Sequence, residues 1–212
     1  MTDTAHFSSA MIMAYDRLAP RYDTLHRRWL RYAGGEAQAA LEAAVRVAVT
    51  PDSKILDVGC GTGQFARTLI QEGIAPDKIT LLDPSTAMLA RCADMPVFKC
   101  LGRLEGLPFD DETFDIVTCA WALETAHDPG RALQEVSRVL RPGGALFLTF
   151  CAQKPADSVF GWVMQRCLEL RQTGRFLNFN CVRQNVEKYM KCETVILPSF
   201  GPCMSVYSRK SA

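Results

Sequence analysis

Along the middle of the chain, short runs of consecutive apolar residues alternate with longer segments of helical spacing. The runs at residues 54–58, 79–82, 97–101, 114–122 and 145–150 predict five strands. Their apolar residues occupy consecutive rather than alternate positions, so both faces of these strands call for cover, as in a parallel sheet. The intervening segments at 64–72, 85–93 and 129–140 predict helices; in the last, Leu133, Val136 and Leu140 share one face. Arg141-Pro142-Gly143-Gly144 ends that helix in a turn. Ahead of the first strand, residues 10–49 predict helix, broken near Pro20 and at Gly34-Gly35 and stopped by Pro51. Beyond Phe150 the spacing of 159–172 is helical, and 193–197 with 204–207 predict a hairpin through Pro198, Gly201 and Pro202.

Strand–helix alternation of this kind implies an α/β protein with right-handed crossovers. The expected architecture is a Rossmann-like, open, mostly parallel seven-stranded sheet with helices on both faces and a C-terminal antiparallel hairpin strand. A chain of 212 residues suits one domain. Residues 1–49 would form an N-terminal helical cover, 50–150 the ligand-binding core, and 151–212 a helix and the closing strands.

Charge changes this picture little. With 24 basic and 23 acidic side chains the net charge is +1, so no global field draws the chain to nucleic acid. No apolar run approaches the roughly 20 residues of a membrane span. The first 13 residues lack a basic head ahead of an apolar stretch, so no secretory leader is expected and a cytoplasmic setting follows. The nine cysteines (60, 92, 100, 119, 151, 167, 181, 192 and 203) are odd in number and contain no CxxC pair. No metal site is expected from them, and reduced thiols acting as small apolar groups are. No pattern prescribes an oligomer.

The chemistry concentrates where the first strand runs into Asp57-Val58-Gly59-Cys60-Gly61-Thr62-Gly63 and a helix follows. Such a turn lies at the carboxyl end of a sheet strand, where open α/β folds bind ligands. A dinucleotide fingerprint, GxGxxG, would need a third glycine at position 64, which is Gln64. Here the glycines alternate, and Asp57 stands two residues before the first; its carboxylate would repel a pyrophosphate and attract an ammonium group. Asp83 follows about 20 residues after the loop, at the end of the second strand, where two carboxylate oxygens suit two ribose hydroxyls. It could instead cap the next helix, a role Ser85 could also fill.

The D-x-G-x-G-x-G loop resembles motif I of class I S-adenosylmethionine-dependent methyltransferases. The resemblance implies that Gly59, Cys60, Gly61 and Gly63 approach the cofactor, with Asp57 near its amino group. It also implies that Asp83 and Pro84 hold the ribose and that Met88 packs near the adenine. Gly102-Arg103-Leu104-Glu105-Gly106-Leu107-Pro108-Phe109, with Phe114-Asp115 beyond, is similar to the family segment G-D-A-E-x-L-P-F-x-x-x-x-F-D. Arg103 and Leu104 replace its Asp-Ala, which puts the usual adenine contact in question. Arg138-Val139-Leu140-Arg141-Pro142-Gly143-Gly144-Ala145-Leu146 resembles the family's structural turn into strand five. Together these matches cover residues 50–150 and imply S-adenosyl-L-methionine as cofactor and S-adenosyl-L-homocysteine as product.

Tyr15-Asp16-Arg17-Leu18-Ala19-Pro20-Arg21-Tyr22-Asp23 resembles the opening segment of small-molecule, quinone and phospholipid methyltransferases. There it covers the cofactor, which assigns Tyr22 and Tyr15 to the methionine end; an amphipathic helix packed through a tyrosine stripe explains the same pattern. The segment after strand four, from Cys119 and Ala120 to Glu124 and His127, faces the transferred methyl in the family. That makes Glu124 or His127 the candidate base or acceptor-orienting group, against the bland reading of a solvated histidine. The expected acceptor is a small-molecule or lipid-like compound. Arg17, Arg21, Arg27, Arg28 and Arg31 with Trp29 and Tyr32 are compatible with transient contact to an anionic membrane surface, and equally with a solvated helix face. No nucleic-acid module is evident. The alternatives to a methyltransferase are a non-catalytic cofactor-binding module and a nicotinamide-dependent dehydrogenase.

Overall fold

Every strand the apolar runs predict is formed. The computed structural model describes residues 2–153, 175–190, 194–198 and 203–211. Strands β1 (Ile55–Val58), β2 (Ile79–Asp83), β3 (Phe98–Leu101), β4 (Phe114–Ala120) and β5 (Leu140–Gln153) pair in parallel. The two-residue β6 (Leu177–Asn178) pairs with the end of β5. β7 (Thr194–Pro198) and β8 (Cys203–Arg209) form the closing hairpin, with β8 antiparallel to β5. The sheet order is β3-β2-β1-β4-β5-β8-β7.

Two strands depart from expectation for physical reasons. β5 starts at Leu140, not Ala145: Leu140 already pairs with Phe114, and the register then slips so that Ile116 faces Ala145. The Arg141-Pro142-Gly143-Gly144 turn is absorbed as a bulge, with Gly143 at φ +77°. β3 lies at the sheet edge, so Phe98 and Leu101 remain largely exposed despite their apolar run.

The helices are α1 (Thr2–Leu18), α2 (Tyr22–Trp29), α3 (Gly35–Ala48), α4 (Gln64–Gln71), α5 (Thr86–Ala90), α6 (Pro129–Val139) and α7 (Phe179–Met190). Helix starts well before residue 10, and Pro20 interrupts it with one 3₁₀ turn, Ala19–Arg21. At Gly34-Gly35 the chain passes through a π turn, Leu30–Gly34, rather than breaking. α5 begins one residue late because Ser85 is its cap, its hydroxyl accepting from the Met88 N–H at 3.1 Å, and it ends three residues early, at Ala90. α6 is capped by Asp128, which accepts from the Arg131 N–H, and ends one residue early because Leu140 enters β5. α7 was not predicted, although Val182, Val186 and Met190 recur every four residues and are buried. The helix expected at 159–172 lies outside the described residues, as do Cys167 and Cys192.

Successive strand residues feed two cores. Leu56, Val58, Val117 and Leu148 pack with Leu133 and Val136 of α6 and Val182 and Val186 of α7. Ile55, Ile79, Leu81 and Ile116 pack on the other face with Leu41 and Val45 of α3 and Phe65 and Leu69 of α4. Arg17, Arg21, Arg27, Arg28 and Arg31 are all exposed, whereas Trp29 turns inward. Among the described residues no helix is long and apolar enough to cross a membrane.

Leu41 is 1% exposed and fastens α3 to the sheet. Leu41→Ala removes a buried side chain and leaves a cavity, which costs about 2–5 kcal/mol. Urea unfolding should therefore show a lower midpoint with an unchanged slope.

Candidate active site

The loops after β1, β2, β3 and β4 surround a cleft of about 650 Å³, part of it open to solvent. Gly59 and Gly61 line it from the first loop, and Asp83, Pro84, Ser85 and Met88 from the second. Arg103, Leu104 and Glu105 come from the third, and Trp121, Ala122, Thr125 and Ala126 from the fourth. Met11, Ile12, Tyr15 and Tyr22 close it from α1 and α2.

The glycine loop is tied to β2 through its own amides. The N–H groups of Gly59 and Cys60 both donate to the Leu82 carbonyl, at 2.7 and 3.1 Å, and the Gly63 N–H donates to the Cys60 carbonyl at 2.9 Å. The Gly61 N–H donates to Asp83 Oδ2 at 2.8 Å. Two of the glycines are sterically required. A methyl on Gly59 would meet the Ala122 Cβ at 2.2 Å, and one on Gly63 would meet the Met95 Cε at 2.4 Å, with φ at +67° and +73°. Gly63 thus serves packing against Cys92 and Met95, in the segment that follows α5, and does not line the cleft.

Asp83 is buried at the mouth of this loop. Its Oδ2 takes the Gly61 N–H and its Oδ1 the Ser85 N–H, each at 2.8 Å. Burial pushes its pKa up and these two donors oppose the shift. Helix capping falls to Ser85, leaving Asp83 to the loop. Asp57 lies beneath the loop, outside the cleft wall; its Oδ1 accepts the Thr118 hydroxyl proton at 2.7 Å, from the residue beside it in β4. Burial pushes the Asp57 pKa up to about 7.

The N-terminal helices are clamped onto the same two loops. The Ser85 hydroxyl donates to Asp16 at 2.5 Å, and the Thr62 hydroxyl to Asp23 at 2.6 Å. Tyr22 lies over Gly61, whose added methyl would sit 3.6 Å from the ring. The Tyr22 ring also stacks on His26 at 5.3 Å between centroids and tilts against Tyr15 at 6.2 Å. Burial, with Asp83 and Glu124 nearby, holds the Tyr22 phenol well above its ordinary pKa, and Tyr15 shifts the same way. Both phenols therefore stay protonated at neutral pH.

Beyond β3, Glu105 is turned to the start of α6: its Oε1 accepts the His127 N–H at 2.6 Å. Arg138 braces this segment by donating to the Phe109 and Leu107 carbonyls and to Glu135. Arg138, read from the sequence as part of a structural turn, thus holds the wall that carries Arg103 and Leu104. His127 is exposed and outside the cleft wall. Glu124 is buried behind the wall, burial raises its pKa to about 7, and its Oε2 has no hydrogen-bond partner among the described residues. Cys60, Cys119 and Ala120 lie beside the cleft without lining it. Cys119 is buried, which pushes its thiol pKa up.

Sequence reasoning missed Met11, Ile12 and Ser85 as cleft residues; it placed the segment carrying Trp121, Ala122, Thr125 and Ala126 by the transferred methyl but singled out none of these four. For Met11 and Ile12 a signal existed: they stand four and three residues before Tyr15, on one helix face. Trp121 carries no such signal. Its φ of +60° places it in the left-handed region, which costs a non-glycine residue roughly 1–3 kcal/mol.

Residues 56–148 match a family model described as a methyltransferase domain. An uncharacterized methyltransferase of Mycobacterium bovis is 35% identical over 161 residues, 75% of this chain and 56% of that protein. A demethylmenaquinone methyltransferase of Symbiobacterium thermophilum is 36% identical over 151 residues, 66% of this chain and 58% of that protein. The chain thus spans little more than half the length of these relatives. Among solved structures, a possible histamine N-methyltransferase of Thermotoga maritima superposes with a TM-score of 0.71 at 23% identity, covering 95% of this chain and all of that one. Sheet order, motif spacing and sequence agree: residues 56–148 match a methyltransferase domain, and the fold is the one shared with solved S-adenosylmethionine-dependent methyltransferases.

Proposed function

We propose that the cleft binds S-adenosylmethionine and that the chain moves its methyl group to a small-molecule or lipid-like acceptor, releasing S-adenosylhomocysteine. The observation that carries this reading is the state of the glycine loop. Four of its amides are already committed to Leu82, Cys60 and Asp83, and two buried carboxyls flank it. A phosphate cradle needs free N–H groups and positive potential. This loop instead suits a ligand with hydroxyl donors and positive charge. The name of the Symbiobacterium relative supports a small-molecule acceptor.

The residues fit the cofactor group by group. Each Asp83 oxygen takes one backbone N–H and keeps acceptor capacity for a ribose hydroxyl. Met88 and Leu104, both buried at the wall, offer an apolar slot for the adenine, with Arg103 beside them. Asp57 attracts the ammonium group from below the loop, and Tyr22 covers the Gly61 side. When bound, adenosylmethionine supplies a methyl group already activated on a sulfonium. The chain's task is then to hold the acceptor in line and to exclude water. Where the acceptor must lose a proton, Glu124, buried behind the wall, and His127, exposed beyond it, remain the two candidate bases, and neither lines the cleft.

Calorimetry should show adenosylmethionine binding to the wild type and none of NAD. Asp83→Ala should weaken that binding by tenfold or more; equal affinity in the variant would remove Asp83 from the site. Transfer of label from methyl-labelled cofactor to fractionated small-molecule extract tests turnover, and binding without transfer would mark a non-catalytic module.

The Asp57 carboxyl adds a pH signature. The folded chain holds this proton up to about pH 7, whereas the unfolded chain loses it near 3.8. Stability from this group is therefore full below about pH 4 and declines as pH rises towards 7. A bound cation favours the ionised form, so cofactor affinity should rise several-fold from pH 6 to 7.5. Asp57→Asn should flatten both profiles, read by urea unfolding and by calorimetry.

A further inference from the structure

Two non-glycine residues among those described occupy the left-handed region: Glu112, in an exposed turn, and Trp121, in the cleft wall. Trp121 is fixed there from several sides. Its backbone N–H donates to the Thr149 carbonyl at 2.8 Å. Its indole N–H donates to Gln38 Oε1 at 2.7 Å, and Gln38 is held in turn by Glu42 at 2.9 Å. Trp29 meets the indole edge-on, with centroids 5.9 Å apart at 88°. Gly34 leaves room for both rings: a methyl there would come within 2.6 Å of Trp29 Nε1 and 2.9 Å of the Trp121 ring.

A strained backbone held by this many contacts is the pattern of a side chain aimed for a purpose. The next residue, Ala122, packs against Gly59 of the cofactor loop, so Trp121 stands beside the cofactor position. Ala126 from the same segment, and Met11 and Ile12 from α1, add apolar groups to the cleft lining. Building on the methyl-transfer reading, we propose that Trp121 determines acceptor specificity, its indole face serving as the platform on which a flat, apolar acceptor lies. Gln38, Trp29 and Gly34 are positioning residues, which makes the platform's orientation a property of the α2–α3 junction.

The test uses 2-naphthol as a flat apolar probe, ethanolamine as an aliphatic one, and adenosylmethionine, each titrated by calorimetry. The two acceptor probes are titrated with and without S-adenosylhomocysteine. Trp121→Gly deletes the indole and relieves the left-handed backbone. Gly34→Ala keeps the indole and displaces it. The wild type should bind 2-naphthol in preference to ethanolamine, and both variants should weaken 2-naphthol about tenfold, the scale of losing one aromatic stacking partner and its buried area. Adenosylmethionine affinity should stay within twofold. Unchanged 2-naphthol binding in Trp121→Gly overturns the proposal, as does a wild type without preference for the flat probe. A parallel loss of all ligands overturns it too, because that is what a purely structural anchor would give. If the wild type fails to bind adenosylmethionine, the methyl-transfer reading falls, while the cofactor-free 2-naphthol comparison still decides the role of Trp121.

Discussion

The site depends on one buried carboxylate. Asp83 ends β2 and accepts two backbone N–H groups, one from the glycine loop and one from the start of the segment capping α5. Burying a carboxylate is costly unless donors are supplied. Here the donors come from the two loops that must be held together, so the cost of burial and the alignment of the cleft are settled by the same pair of bonds. Ser85 takes the helix cap, which frees Asp83 from that duty, and its hydroxyl also reaches Asp16 on α1. The covering helices are thereby referenced to the same point as the loops.

The sheet was legible in the sequence because a parallel strand covered on both faces needs apolar residues at consecutive positions, and the runs around Ile55, Ile79 and Ile116 have them. The weak point was β3, where an edge strand carries the same run without the burial. The long β5 was shortened in the sequence reading because a Pro-Gly-Gly turn signals an end, whereas here a bulge carries the chain through it. α7 was overlooked although its four-residue spacing is plain, since the region around it gave little context.

Within the site, the legible residues are those whose type is demanded by backbone geometry or by charge: Gly59, Gly61 and Asp83. The illegible ones reach the cleft through tertiary packing. Trp121 stands just beyond the end of β4, and the Trp29, Gly34 and Gln38 contacts explain its orientation. Glu124 and His127 looked equivalent as neighbours in one segment, yet one is buried with its pKa raised to about 7 and the other is exposed. Burial, which a single loop sequence does not encode, separates them.

The N-terminal helices touch both halves of the proposed chemistry. Asp16 and Asp23 hold them to the loops after β2 and β1, while Trp29, Gly34 and Gln38 hold the indole that follows β4. A cover bound only at the cofactor loops could close without regard to what lies beside them. α1, α2 and α3 run on with only a 3₁₀ turn and a π turn between them, so the residues that cover the glycine loop and those that hold Trp121 belong to one helical run. The left-handed backbone at Trp121 is offset by contacts from that run: the indole N–H donates to Gln38, and the Trp29 ring packs against the indole.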